Sequence, residues 1–143
     1  MCDQGPFAIE FYQSPRSDKP VLRWIRQDLS VPQRRALGYA IHRLLQRYGV
    51  RVCDTNFGRQ LGGGLFEFRL RLNARTDGEA ALLRVFCHAV GDRVILLLGG
   101  YDKGKDSGRR RQDREIKVAR RRLAEHLSRH SGADRGPPQS AGI

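Results

Sequence analysis

Three apolar runs in the second half of the chain most constrain what it can fold into. Residues 65–72 read Leu-Phe-Glu-Phe-Arg-Leu-Arg-Leu, and further runs follow at residues 80–90 and 93–98. A polar turn at 73–78 separates the first two runs, and Gly91-Asp92 separates the last two. Alternation with a period of two is typical of a strand, and a Gly-Asp pair favours a hairpin. The pattern therefore predicts three consecutive antiparallel strands.

The alternation also assigns side chains to the two faces of the predicted sheet. On residues 65–72, one set is predicted to face the core and comprises Phe66, Phe68, Leu70 and Leu72. The other set faces solvent or a ligand and comprises Glu67, Arg69 and Arg71. On the next strand, Arg84, Phe86 and His88 share one face. Residues 93–98 are nearly all apolar, which predicts a central strand buried on both faces and broken at Gly99-Gly100.

The first half of the chain predicts one more strand and a pair of helices. Residues 7–12 are a short aromatic strand candidate, and Pro20 opens the first helix. Ser30 and Gln33 match a capping box for the second helix, which Gly49 ends. Residues 50–63 are predicted to be irregular. We expect an α+β domain with a twisted antiparallel sheet and the helix pair on one of its faces.

The C-terminal part of the chain is predicted to be a basic helix. It follows a polar loop at 102–108, and its narrow apolar stripe comprises Ile116, Ala119, Leu123 and Leu127. Residues 103–129 contain eleven Lys and Arg against four acidic residues, a net +7 out of +12 for the chain. We place the domain at residues 1–130 and expect a disordered tail at 131–143.

Charge and cysteines bound the classes of function. A net charge of +12 on 143 residues points to an anionic partner. Nucleic acid is the leading candidate for that partner, although an acidic protein or a membrane surface would satisfy the same electrostatics. A GC-rich genome would also raise the arginine content without any such partner. The three cysteines, Cys2, Cys53 and Cys87, have no metal-ligand spacing, and Cys87 reads as a buried small hydrophobe. We expect no metal, no cofactor, no membrane span and a cytoplasmic location.

Several motifs, taken in order, resemble the HigB/RelE superfamily of toxin ribonucleases, most closely its phage-derived HigB-like branch. They are Ile9-Glu10-Phe11-Tyr12 with Ser14-Pro15-Arg16, the run 61–69, Leu83-Arg84-Val85-Phe86, Gly100-Tyr101 with Lys103, and Arg114-Glu115-Ile116 with Ala119. The resemblance covers residues 7–128. It implies a RelE/ParE-like fold and an mRNA interferase, an endoribonuclease that cuts mRNA on the translating ribosome. It also implies a cognate antitoxin, usually of the helix-turn-helix type.

The resemblance places the site on the arginine-bearing strands. The family's Glu-x-Arg motif falls on Glu67 and Arg69, its next-strand arginine on Arg84, and its aromatic and first lysine on Tyr101 and Lys103. Here Gly104 separates Lys103 from Lys105, where the family often has two adjacent lysines. We expect RNA to be bound as well by the basic residues Arg71, Lys105, Arg109, Arg110, Arg111 and Arg114.

The chemistry of metal-independent RNA cleavage suggests a role for each candidate. Arginine is a poor base, so Arg69 and Arg84 suit phosphate clamping and transition-state charge. The base is left open among Lys103, His88 and Glu67, although pairing with arginine favours an orienting role for Glu67. Tyr101 would stack on a base or hydrogen-bond the phosphate.

Three other interpretations of the same residues stay open. A gyrase-inhibiting toxin of the same fold would not need Arg69, Arg84 and Lys103 for toxicity. A non-enzymatic nucleic-acid-binding protein would lose binding in proportion to the charge removed, with no single essential residue. The ordinary alternative is that these arginines and the basic helix are simply solvated.

Overall fold

A single five-stranded sheet organises the protein. The computed structural model describes residues 6–135, apart from the side chains of 131–135. The strand order is β1-β5-β4-β3-β2. The strand bounds are β1 Ala8–Phe11, β2 Gly58–Gly62, β3 Leu65–Leu72, β4 Ala81–Val90 and β5 Val94–Asp102. Strands β3, β4 and β5 pair antiparallel in sequence order, so the predicted three-strand arrangement is confirmed.

The prediction of a wholly antiparallel sheet was wrong at one edge. Strand β1 pairs with β5 in parallel, with Ile9 beside Ile95, so the sheet is mixed. The direction of a strand depends on the path of the chain and is not encoded in its apolar alternation. Here β1 and β2 occupy opposite edges of the sheet, and the helix pair lies between them in sequence.

The two N-terminal helices begin where the sequence predicts. Helix α1 spans Pro20–Asp28 and α2 spans Val31–Ala40. The capping box is formed, because the hydroxyl of Ser30 accepts from the Gln33 amide and the Gln33 side chain accepts from the Ser30 amide. The helix continues through a π turn, Ile41–Leu45, and a single turn α3, Gln46–Tyr48. Gly49, whose φ of 57° is left-handed, ends it.

The sheet separates two halves of the core. The helix pair packs on the face that carries Phe66, Phe68, Val85 and Leu97. The last helix, α4, spans Arg109–Arg135 and packs on the opposite face. There Ala119 and Leu123 join a cluster with Tyr12, Leu65, Phe86, Leu96, Leu98 and Tyr101. The fold is therefore α+β with helices on both faces, and α4 covers the face that bears Glu67 and the arginines.

The predicted apolar stripe of α4 was wrong at its last position. Leu127 is 45% exposed, whereas His126 is only 6% exposed. Helical periodicity allows either a three- or a four-residue step after Leu123, and the structure takes the shorter one. The predicted tail at 131–143 overlaps the last turns of α4, and residues 136–143 lie outside the described part. Among the described residues, no helix has both the length and the apolar character needed to cross a bilayer.

Residues 50–63, predicted to be irregular, contain two regular elements. A 3₁₀ helix spans Gly49–Asp54, and β2 follows as the sheet's second edge. A Cβ built on Gly58 would lie 2.7 Å from the carbonyl carbon of Val52, so the two elements are in close backbone contact. Strand β2 reads Gly-Arg-Gln-Leu-Gly, which has low strand propensity, and its pairing with β3 decides its conformation.

The break predicted at Gly99-Gly100 is also absent. Strand β5 runs through both glycines to Asp102, so Tyr101 lies inside the strand. A Cβ on Gly100 would lie 2.5 Å from the ring of Trp24 on α1. Glycine in a strand interior often marks such a close approach, and here it makes room for the tryptophan.

Replacing Gly100 with alanine is expected to destabilise the protein by about 1–3 kcal/mol, because the new methyl group overpacks against Trp24. Thermal unfolding of the wild type and the variant measures this. Gly38→Ala is the matched control, because a Cβ on this exposed α2 glycine meets nothing within 4 Å. It should be neutral or stabilising. Equal stability of the two variants would show that Trp24 does not pack on β5 as described.

Candidate active site

A β-bulge brings three of the predicted site residues into one row. Arg69 on β3 pairs with Arg84 on β4, and Arg84 pairs with Tyr101 on β5. The register between β4 and β5 shifts by one residue between Phe86 and Cys87. Without that shift Arg84 would lie opposite Gly100. Directly opposed residues project from the same face, so the bulge sets Tyr101 beside Arg84 under the first turns of α4.

Glu67 lies beside this row, two residues before Arg69 on β3, in the buried part of the same face. Its side chain is fully buried, with Oε2 3.0 Å from Nε of Arg84 and Oε1 3.8 Å from Nε of Arg69. The prediction that the whole Glu67, Arg69, Arg71 face is open was therefore wrong for Glu67. Burial decreases along β3, from Glu67 through half-buried Arg69 to exposed Arg71. The cause is α4, which covers only the first part of the strand.

The polar atoms of this cluster are buried without full hydrogen bonding. Some buried polar atoms have no hydrogen-bond partner among the described residues. They are both carboxylate oxygens of Glu67, the Nε atoms of Arg69 and Arg84, and the Tyr101 hydroxyl oxygen. Arg84 and Glu67 are thus at ion-pair distance but not aligned as donor and acceptor. Burial lowers the pKa of Arg84, and the nearby Glu67 carboxylate opposes that shift. Buried unpaired polar groups are costly, and they concentrate at functional sites.

Tyr101 is enclosed rather than presented to a ligand. Its side chain is fully buried, its ring stacks on Phe86 at 6.2 Å, and the Arg111 guanidinium lies 5.0 Å from its ring centre. Arg111 in turn contacts Glu115 at 2.7 Å and Asp106 at 3.6 Å. Burial raises the pKa of Tyr101, so the phenol keeps its proton. Both predicted roles require the cover over Tyr101 to move, since Arg111 lies over the ring and the hydroxyl oxygen is itself buried.

Lys103 and the exposed cations lie at the open end of the row. The Lys103 amide donates to the Leu82 carbonyl oxygen at 2.7 Å, which places the residue one row beyond Tyr101. The Asp102 side chain shapes this turn by accepting from the amides of Leu82 and Gly104. Exposed Arg71 and Lys105 line a groove of about 580 Å³ beside it. A polyanion can therefore approach the row from this end.

Of the remaining predicted residues, His88 and Arg111 do not lie where a role in the site would place them. His88 contacts the β2–β3 turn, with Nδ1 2.9 Å from the Gly64 carbonyl oxygen. It lies four residues from Arg84 along β4, roughly 13 Å, so the structure does not bring it into the row. Arg109, Arg110 and Arg114 are exposed at the start of α4. Arg111, predicted to bind RNA, is instead committed to Tyr101, Asp106 and Glu115.

Three arginines of α4 attach the helix to the sheet and to the segment after β1. Arg120 donates to the carbonyl oxygens of Leu61 and Gly62, Arg122 to that of Leu98, and Arg129 to that of Gln13. These contacts were not predicted, because charge counting does not distinguish a solvated arginine from one bound to the backbone. In the part of the chain that the structure describes, no three His, Cys, Asp or Glu side chains cluster to hold a metal ion.

Comparison with protein families identifies the family of this chain. A family model described as phage derived protein Gp49-like (DUF891) matches residues 23–124, well over half of the chain. The chain belongs to the Gp49-like family. This is a toxin-like family of the RelE/HigB type. No match is found among curated proteins.

The Gp49-like match covers α1 from Arg23 onward, α2, β2 to β5 and α4 as far as residue 124. It therefore contains the whole row and every predicted site residue. Membership in the family suggests that the Gp49-like chain is the toxin of a toxin–antitoxin system.

Proposed function

We propose that this protein is a metal-independent endoribonuclease toxin that cuts mRNA on the translating ribosome, as the resemblance to the HigB/RelE superfamily implies. The observation that carries the proposal is the row of Arg69, Arg84 and Tyr101, held across three strands over the buried Glu67. Fixed cations in a partly desolvated setting are what a phosphoryl transition state requires. A surface used only for solvation would not bury an incompletely bonded carboxylate beside two arginines.

In the proposed reaction the 2′-oxygen of a nucleotide attacks the adjacent phosphorus atom. Its proton passes to a base, the bond from phosphorus to the 5′-oxygen breaks, and that oxygen takes up a proton from water. The products are a 2′,3′-cyclic phosphate and a 5′-hydroxyl end. Arg84 and Arg69 balance the extra negative charge on the phosphorus oxygens and on the leaving oxygen. Tyr101, whose hydroxyl keeps its proton, would donate a hydrogen bond to a phosphate oxygen once the cover over it moves.

Lys103 is the base that the geometry favours among the three candidates. Glu67 is fully buried beside two arginines, which suits orienting Arg84 rather than exchanging protons with RNA. His88 lies outside the row. Lys103 is half-buried and lies two residues beyond Tyr101, beside Leu82, on the side where a nucleotide would enter. The mRNA and ribosomal RNA backbones are then attracted by the exposed basic residues Arg71, Lys105, Arg109, Arg110 and Arg114.

The proposal includes two partners and a location. Activity on the ribosome requires that the toxin act in the cytoplasm. A cognate antitoxin, of the helix-turn-helix type that the resemblance implies, would neutralise it by covering the basic face that bears the row.

Primer extension on an mRNA in a translation extract is expected to reveal discrete cuts when the wild-type protein is added. The cuts should disappear when initiation is blocked, because the ribosome positions the mRNA. The Arg93→Ala variant, which removes an exposed arginine from the β4–β5 turn at the end of β4 away from the Arg71 and Lys105 groove, should cut like the wild type. Intact mRNA with the wild type would overturn the proposal, and a DNA supercoiling assay would then test gyrase inhibition.

A further inference from the structure

Helix α2 and its continuation to Tyr48 lie on the face of the sheet opposite α4. They carry a second basic surface that the proposed reaction does not use. Residues 29–53 contain five arginines and no Asp or Glu. Four of these arginines, Arg35, Arg43, Arg47 and Arg51, are exposed. Within residues 6–135 none of the four is in ion-pair contact with a carboxylate. Unlike the arginines that attach α4 to the sheet, these four arginines are available to bind an anion.

Two exposed tyrosines lie among these arginines. Tyr39 is 64% exposed and Tyr48 is 40% exposed. Each lies beneath a guanidinium, with Arg43 5.5 Å from the ring centre of Tyr39 and Arg47 5.8 Å from that of Tyr48. We call Arg35, Tyr39, Arg43, Arg47, Tyr48 and Arg51 the tyrosine–arginine surface.

The π turn keeps part of this surface in line. Arg35, Tyr39, Arg43 and Arg47 follow one another at intervals of four residues. In an α-helix each such step turns the side chain about 40° past the one before. The π turn at Ile41–Leu45 is wider, with hydrogen bonds between residues five apart, so the step across it does not advance in this way. Arg35, Tyr39, Arg43 and Arg47 therefore stay on the exposed side of the helix. Leu37 and Leu45 remain in the core.

We propose that the tyrosine–arginine surface binds single-stranded RNA, separately from the row of Arg69, Arg84 and Tyr101. A run of unpaired arginines attracts a phosphate backbone, and exposed tyrosine rings stack on unpaired bases. Double-stranded RNA keeps its bases stacked on each other and would use only the arginines. The surface lies on the opposite side of the sheet from α4, so one RNA segment can contact it while another occupies the proposed cleavage site.

Fluorescence anisotropy with a short single-stranded RNA tests this binding. The RNA carries 2′-O-methyl groups, so it cannot be cut by attack of the 2′-oxygen, and the result does not depend on the proposed cleavage. The Tyr39→Ala/Tyr48→Ala variant is expected to bind single-stranded RNA about 30-fold more weakly, with little change for a duplex of the same length. The Arg43→Ala/Arg47→Ala variant should weaken both, and its salt slope for single strands should fall by about 1.4.

The matched control removes the same charge elsewhere. Arg75→Ala/Arg93→Ala takes away two exposed arginines from loops and should change binding by less than about twofold, with circular dichroism confirming that all variants are folded. Equal losses from the two double-arginine variants would mean that total charge alone governs binding, and would overturn the proposal. Equal competition by polyglutamate and by unlabelled RNA would overturn it too, because that result fits an acidic protein partner.

Discussion

Replacing Arg84 with lysine is expected to reduce ribosome-dependent mRNA cleavage by about 100-fold or more while leaving the protein folded. Loss of a single preorganised donor to a transition-state charge typically costs a factor of this size. Arg84 occupies the centre of the row, between Arg69 and Tyr101, and its side chain is only 13% exposed. Lysine keeps a cation near Glu67 but loses the planar fork that contacts two oxygens at once.

The lysine variant is more informative than alanine at this position. Arg84→Ala would leave the buried Glu67 carboxylate with only Arg69, 3.8 Å away, and would cost several kcal/mol of stability. Its inactivity would then be explained by unfolding as well as by a missing clamp. Lysine separates the two effects, because the charge balance at Glu67 is retained.

Primer extension and thermal unfolding measure the two consequences of Arg84→Lys side by side. Arg75→Lys is the matched control, since it makes the same chemical change at an exposed turn and should alter neither. If the Arg84→Lys protein cuts mRNA at the wild-type rate, Arg84 does not clamp the phosphate through a guanidinium. If the folded variant loses cleavage and the wild type cuts only translating mRNA, the gyrase and plain-binding alternatives no longer account for toxicity.

Local patterns in the sequence predict the frame of this site. The alternation in residues 65–72 puts Glu67 and Arg69 on one face, and the pairing of β3 with β4 adds Arg84 to it. The Ser30–Gln33 capping box predicts the start of α2 because all of its hydrogen bonds are made within four residues. These features depend on neighbours in sequence, so they can be recognised without the tertiary structure.

Features that depend on contacts between distant residues were not predicted. Glu67 is buried because α4, far along the chain, covers that part of the face. Tyr101 lies within β5 because Trp24 fills the space over Gly100, where the glycines alone suggest a break. The alignment of Tyr101 with Arg84 depends on a one-residue bulge that no sequence pattern marks. The exposure of Tyr39 and Tyr48 depends likewise on how their helix packs against the sheet.

Replacing Glu67 with glutamine is expected to destabilise the protein by about 3 kcal/mol, because two partly buried guanidinium groups lose their counter-ion. This lies at the lower end of the usual cost, since the Arg69 side chain is 32% exposed and remains partly solvated. In a domain of this size the loss corresponds to a fall in Tm of about 10 °C. Urea unfolding measures it, and Glu79→Gln on an exposed turn is the matched control, expected to change stability by less than about 0.5 kcal/mol.

The double variant Glu67→Leu/Arg84→Met distinguishes stability from function. Removing both members of a buried ion pair often restores stability, because neither charge is then left in a poorly solvated place. We expect this variant to recover most of the loss seen in Glu67→Gln and still to leave mRNA uncut. Unchanged stability in Glu67→Gln would contradict the ion-paired description of the cluster, as would a double variant no more stable than the single one. Recovery of stability without cleavage would mean that the charged row is costly to the fold, which is expected of residues retained for catalysis.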